Sequence, residues 1–280
     1  MKERKIKKQV QGKRTMDGAG VHLVRVLGAG TMYDFDPFLM LDSFDSYNPE
    51  DYMKGFPWHP HRGIETITYL VAGEINHQDS LGNKGKILAG ESQWMTAGSG
   101  IMHQEMPKES PRMLGLQFWL NLPQSEKMAA PHYFDIGVDQ IGVIENENGT
   151  VRVIAGEYQG VQGAKPLYLQ ATFYDIEIVS GKEIIVPTKA DETAFVFTLE
   201  GDGKVAGERV AAKTAVLLDE GDQVVLGALE GSPVRFVFAM AKPLKEPISW
   251  GGPIVMNTKE ELSLAFDELR DGTFIKENAK

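Results

Sequence analysis

The 280-residue chain has no cysteine. That excludes a disulfide scaffold, thiolate metal sites, iron–sulfur clusters and a Cys nucleophile. Histidine is scarce as well, at six residues, so a transition metal would have to be held by imidazole and carboxylate from a short list. No run reaches the ~18 apolar residues that a membrane span needs, and no membrane partner is expected. Basic residues are outnumbered, 29 against 39 acidic, for a net charge of −10. A body this acidic repels phosphate backbones, so direct nucleic-acid binding is not expected either. Lys2, Arg4, Lys5, Lys7, Lys8, Lys13 and Arg14 crowd the start of the chain and read as a solvated first strand or arm. No apolar stretch follows them as in a signal peptide, and a cytoplasmic location is expected.

What the sequence does have is punctuation: 30 glycines and 14 prolines. They separate short apolar or alternating runs such as Val21–Val26, Glu65–Val71, Leu114–Leu120, Thr172–Val179, Ala194–Leu199 and Val234–Met240, which read as strands. One helix is expected near the end. Thr258 and Glu261 make a capping box, Leu262, Ala265, Phe266 and Leu269 form one stripe, and Asp271-Gly272 is the stop. A weaker helical turn is expected near Ser125–Ala130. Leu70–Glu74 followed by Ala89–Ser92 is echoed by Leu199–Asp202 followed by Glu220–Gln223, as though one β unit occurred twice. The fold class expected is all-β, with two barrel or jelly-roll domains, residues 1–140 and 141–280, and a short C-terminal helix.

The chemistry concentrates in two pairs, His59-Pro60-His61 and His103-Gln104-Glu105. In extended chain, residues i and i+2 point to the same side, about 7 Å apart at Cα. Two such pairs on adjacent strands would give three imidazoles and a carboxylate around one ion. This donor set suits Fe(II), Mn(II), Ni(II), Cu(II) or Zn(II). Glu65 is in phase with the first pair and is a rival fourth ligand. His22, His77 and His132 stand alone and read as non-ligands. Trp58, Trp94, Met95, Met106, Phe118 and Trp119 are candidates for an aromatic-substrate wall, although barrel core is the plainer reading for most of them. From Tyr133 onward there is no His, so the second domain should hold no metal.

Three stretches, Asp36–Asp42, Gly55–Thr66 and Gln93–Pro107, closely resemble the pirin family. Pro253–Thr258 and Asp271–Phe274 are similar to it too. The resemblance implies a bicupin, with a metal, usually iron, at the positions of His59, His61, His103 and Glu105. The Glu65 position belongs to the general cupin motif but is not a pirin ligand. It further implies a quercetin 2,3-dioxygenase type of activity on a flavonol or another aromatic enol with O₂. There Glu105, as ligand and catalytic base, would take the proton of the flavonol 3-hydroxyl, and Phe56 and Met95 would clamp the flat ring. The rival implication is a metal-containing regulatory protein that binds a transcription factor or a metabolic enzyme.

Overall fold

The structure, a computed structural model, describes residues 1–276. Strands dominate, and the described residues include one α-helix, Lys259–Asp271. Its start and stop are those the sequence predicts. Thr258 caps the backbone N–H of Glu261, the Glu261 carboxylate reaches back, and Gly272 closes the helix in the left-handed conformation at φ 71°. Of the expected stripe, Ala265 is buried and Leu262 and Leu269 pack against the same small core, but Phe266 stays 41% exposed. The weaker turn is a short 3₁₀ segment, Gln124–Glu126.

The described residues form two compact units, and neither is a contiguous half. One comprises Met1–Lys13, Thr31–Pro37 and Val138–Pro243; the other comprises Arg14–Gly30, Phe38–Gly137 and Leu244–Lys280. A cut near residue 140 therefore misses both ends. The strand Ile6–Gln11 pairs antiparallel with Thr214–Leu218, and Arg62 bridges to Ile254. Backbone pairing, not chain order, assigns these ends.

Each unit is built from a seven-stranded and a four-stranded antiparallel sheet. This repetition is what the echoed turns indicate. In the unit containing residues 138–243, both sheets contribute to an apolar interior that includes Tyr174, Ile176, Val186, Val196, Leu226, Phe236 and Phe238. In the other unit one apolar cluster gathers Leu23, Phe44, Leu70, Ile75, Ile87 and Met113. The unit also buries a set of polar side chains, among them Asp42, Thr68 and Gln93. Directly paired residues share a sheet face, and pairing links Arg25, Asp42, Gln117, Thr68, Gln93 and Asp135 in one row across the seven-stranded sheet. A row of this composition is tolerable inside a barrel only if its members bond one another. Arg25 grips Asp42 through two hydrogen bonds of 2.9 and 2.7 Å, and Gln93 donates to Asp135 at 2.8 Å.

Candidate metal centre

The strands Phe56–His61 and Ile101–Pro107 lie side by side in the four-stranded sheet, with His103 directly opposite His59 and Ile101 opposite His61. Alternation along each strand turns both members of each pair inward, as their spacing predicts. A bulge interrupts the pairing, because Glu105 falls opposite Phe56 and not Pro57. The extra residue changes the phase of the strand. As a result Phe56 and His59, three residues apart, both line one cavity.

The three imidazoles converge. Their ring centroids are 4.3 to 5.0 Å apart, and one nitrogen from each falls within 4.8 Å of the others. The tautomers of two of them follow from their neighbours. His59 Nδ1 lies 2.8 Å from the Pro57 carbonyl oxygen, and His61 Nδ1 lies 3.1 Å from that of Pro253. A carbonyl only accepts, so each Nδ1 carries the hydrogen and each Nε2 presents a lone pair. Those two Nε2 atoms face each other at 3.1 Å. Two lone pairs cannot bond each other; a shared cation resolves the contact.

A proton is a poor candidate for that cation. Burial, reinforced by neighbouring His59, pushes His61 down to about 3. Burial likewise holds His59 below the ordinary imidazole range and His103 well below it. His103 has neither ring nitrogen in a hydrogen bond. Two nitrogens bound at right angles to one ion, at bond lengths of about 2.1 Å, stand about 3.0 Å apart. The donor set and its spacing therefore fit a divalent transition ion.

Glu105 is placed differently. Its carboxylate stands outside the grouping of imidazole nitrogens but lines the same cavity. Thr68 donates to its Oε1 at 2.9 Å. Burial pushes the Glu105 carboxyl up to about 7, and the Thr68 bond opposes the rise. Glu65 does not join the cluster; it is fully buried and accepts a hydrogen bond from Thr96 at 2.7 Å. Of the three unassigned histidines, His22 lies 3.1 Å from Asp51, His132 is exposed, and His77 is buried beside the Tyr133 ring. None belongs to the cluster.

The cavity encloses about 770 Å³. Phe56, His59, His61 and Glu105 line it together with Arg25, Met40, Asp42, Gln117, Trp119 and Trp250. Met95 is not among its lining residues, being 1% exposed and covered within the strand Ser92–Thr96. Trp94 and Phe118 are core, Trp58 is 47% exposed, and only Trp119 of the aromatic candidates reaches the cavity. Arg25, Asp42, Gln117 and Trp250 escape sequence reasoning because they come from strands and a loop distant in the chain. The even spacing of Met40 and Asp42, and of Gln117 and Trp119, was the one signal that each pair shares a face.

Residues 20–120 match the pirin family and residues 173–275 the pirin C-terminal cupin domain. The chain belongs to the pirin family. It is 42% identical to a pirin-like protein of Caulobacter vibrioides over 280 residues, 98% of this chain and 100% of that one. It is 35% identical to Pirin of Homo sapiens, over 99% and 96% of the two chains. Among solved structures, quercetin 2,3-dioxygenase from Acinetobacter baumannii superposes with a TM-score of 0.91 at 32% identity, covering 97% and 98%. The fold is thus a bicupin, as in pirins. Among the described residues, no helix is long and apolar enough to cross a membrane.

Proposed function

We propose that the chain is a metal-dependent dioxygenase that cleaves flavonols such as quercetin with O₂. One observation carries the reading: two imidazole lone pairs fixed face to face at the floor of an aromatic-walled cavity. His59, His61 and His103 would hold the ion, most fittingly Fe(II), with Glu105 as the fourth ligand. When bound, the ion supplies positive charge that acidifies a coordinated hydroxyl and a place for O₂ beside the organic ring.

The chain's own residues do the rest. Phe56, Met40, Trp119 and Trp250 offer apolar faces to a flat aromatic molecule. Glu105, held near neutrality by burial, is suited to accept the proton of the flavonol 3-hydroxyl, because a base works best when its pKa lies near the working pH. The buried walls keep bulk water from the ring while it opens and releases carbon monoxide.

The test is oxygen uptake and carbon monoxide release by iron-loaded protein over a flavonol panel. Loss of both metal and turnover is expected in His59→Ala, and normal turnover in that variant sinks the proposal.

A second reading, a regulatory protein that signals metal state to a protein partner, is favoured by Trp58. This indole is 47% exposed yet adjacent in sequence to His59. Partner capture that depends on the oxidation state of the metal, and is lost in Trp58→Ala, would support it.

A further inference from the structure

The corner His61-Arg62-Gly63 joins the two strands Phe56–His61 and Ile64–Ala72, and residues about 190 positions later take a large part in fastening it. The Pro253 carbonyl accepts from His61 Nδ1. Val255 N donates to the Arg62 carbonyl at 3.1 Å. The buried Lys127 Nζ bridges the Gly63 carbonyl at 2.7 Å and the Val255 carbonyl at 2.9 Å. Gly63 itself has φ +75°, and a Cβ there would sit 2.0 Å from the Val255 oxygen. Only glycine permits that approach.

Arg62 extends the fastening to the second ligand strand. Its Nε donates to the carbonyl of Ser99 at 2.7 Å, in the turn that leads into His103. Its other nitrogens reach the Phe274 carbonyl at 2.8 Å and the Glu268 carboxylate at 2.7 Å. The guanidinium also lies 4.2 Å from the centre of the Phe274 ring.

We infer that Trp250–Phe274 is a positioning element of the metal centre. Its Pro253 carbonyl fixes the His61 tautomer, and its anchors on Arg62 keep the two ligand strands in register. The inference rests on the metal-centre reading and adds that residues far from the ion set its affinity. The hydrogen bonds that orient metal ligands commonly change affinity by about 10- to 100-fold when removed.

The experiment uses the full chain and Zn(II) competed against a chelator. Glu268→Ala and Phe274→Ala are expected to raise the Zn(II) Kd about tenfold or more. Glu268→Gln, which keeps a hydrogen-bond acceptor, should recover most of the affinity. In ¹⁵N NMR of the metal-free protein, His61 is expected to lose its single Nδ1–H tautomer in the two alanine variants. Leu199→Ala, in the other unit, serves as a control of similar thermal destabilisation and should leave Zn(II) affinity unchanged.

Wild-type affinity in both folded alanine variants overturns the inference, as does equal loss in the Leu199 control. Should either alanine variant fail to fold, the Glu268→Gln and Glu268→Asp pair decides by the same readouts. Undiminished Zn(II) binding by His59→Ala is a separate result and would remove the metal-centre reading itself.

Discussion

Thr68 donates its one hydroxyl hydrogen to Glu105 Oε1 at 2.9 Å, while the side-chain oxygen of Gln117 lies 2.8 Å from the same hydroxyl. One hydrogen cannot serve both. Turning the Gln117 amide lets its NH₂ donate to Thr68, and Thr68 then donates to Glu105. The carboxylate is thereby held by one oxygen, with the other available. In Thr68→Val the opposing bond is gone and burial acts alone, so the Glu105 carboxyl should titrate higher than about 7. Metal retention at pH 7 should fall by about tenfold, read by chelator competition. An unchanged Kd would mean that Glu105 does not bind the ion.

The metal-free protein should lose stability in acid, with a slope set by opposing groups. His61, His103 and His59 have lowered folded pKa values. Below about 6.5 the unfolded chain gains these protons and the folded chain does not, so stability falls with pH. Glu105 acts the other way. Its folded pKa is about 7 against 4.5, so its contribution declines as pH rises across that window, by on the order of 3 kcal/mol. Three imidazoles outweigh one carboxyl, and net stability should rise between about pH 5 and 6.5. In Glu105→Gln the rise should steepen and the metal-free protein should be more stable than wild type at pH 8. Urea midpoints across this range check both statements.

Lys127→Met should be costly. The ammonium donates to Asn121 at 2.5 Å, Gly63 at 2.7 Å and Val255 at 2.9 Å. Removing it takes a donor from the Asn121 side chain and the Val255 carbonyl and leaves the Gly63 carbonyl only the Leu122 N–H at 3.3 Å. At about 1–3 kcal/mol for each lost partner, urea unfolding should show a loss of about 3 kcal/mol or more. Burial also pushes this amine down to about 7, although three acceptors call for three N–H donors. We therefore expect it to remain charged at neutral pH.

Phe56→Ala should separate binding from metal retention. The ring lines the cavity but is no ligand. KM for a flavonol should rise by about tenfold, consistent with the 1.5–3 kcal/mol of a buried aromatic, with the Zn(II) Kd unchanged. A parallel loss of metal would place Phe56 in the support of His59 instead.

Much of the site was legible because it depends on local spacing. His59 with His61, and His103 with Glu105, needed only the period of a strand. The Thr258–Gly272 helix signals were equally local. What escaped depends on pairing between distant segments. Asp42 is read as a cavity residue only once it is known to face Arg25 and Gln117. Met95 has the composition of a substrate wall, but the strands on either side of it, paired at Thr66 and Tyr133, bury it. Phe266 fitted the helical stripe yet lies at its edge, half in solvent.

The 192 positions that separate His61 from the carbonyl it leans on have a temporal meaning. At roughly 5–20 residues per second, a ribosome completes the three imidazoles, of which His103 is the last, about 8–30 s before it makes Pro253. Throughout that interval the emerging barrel lacks the support described for its corner, and an ion captured early would be loosely held. Stable loading would then be a late event, coupled to the arrival of the helix Lys259–Asp271, and a nascent chain stalled before Trp250 should exchange a bound metal freely with the surrounding pool.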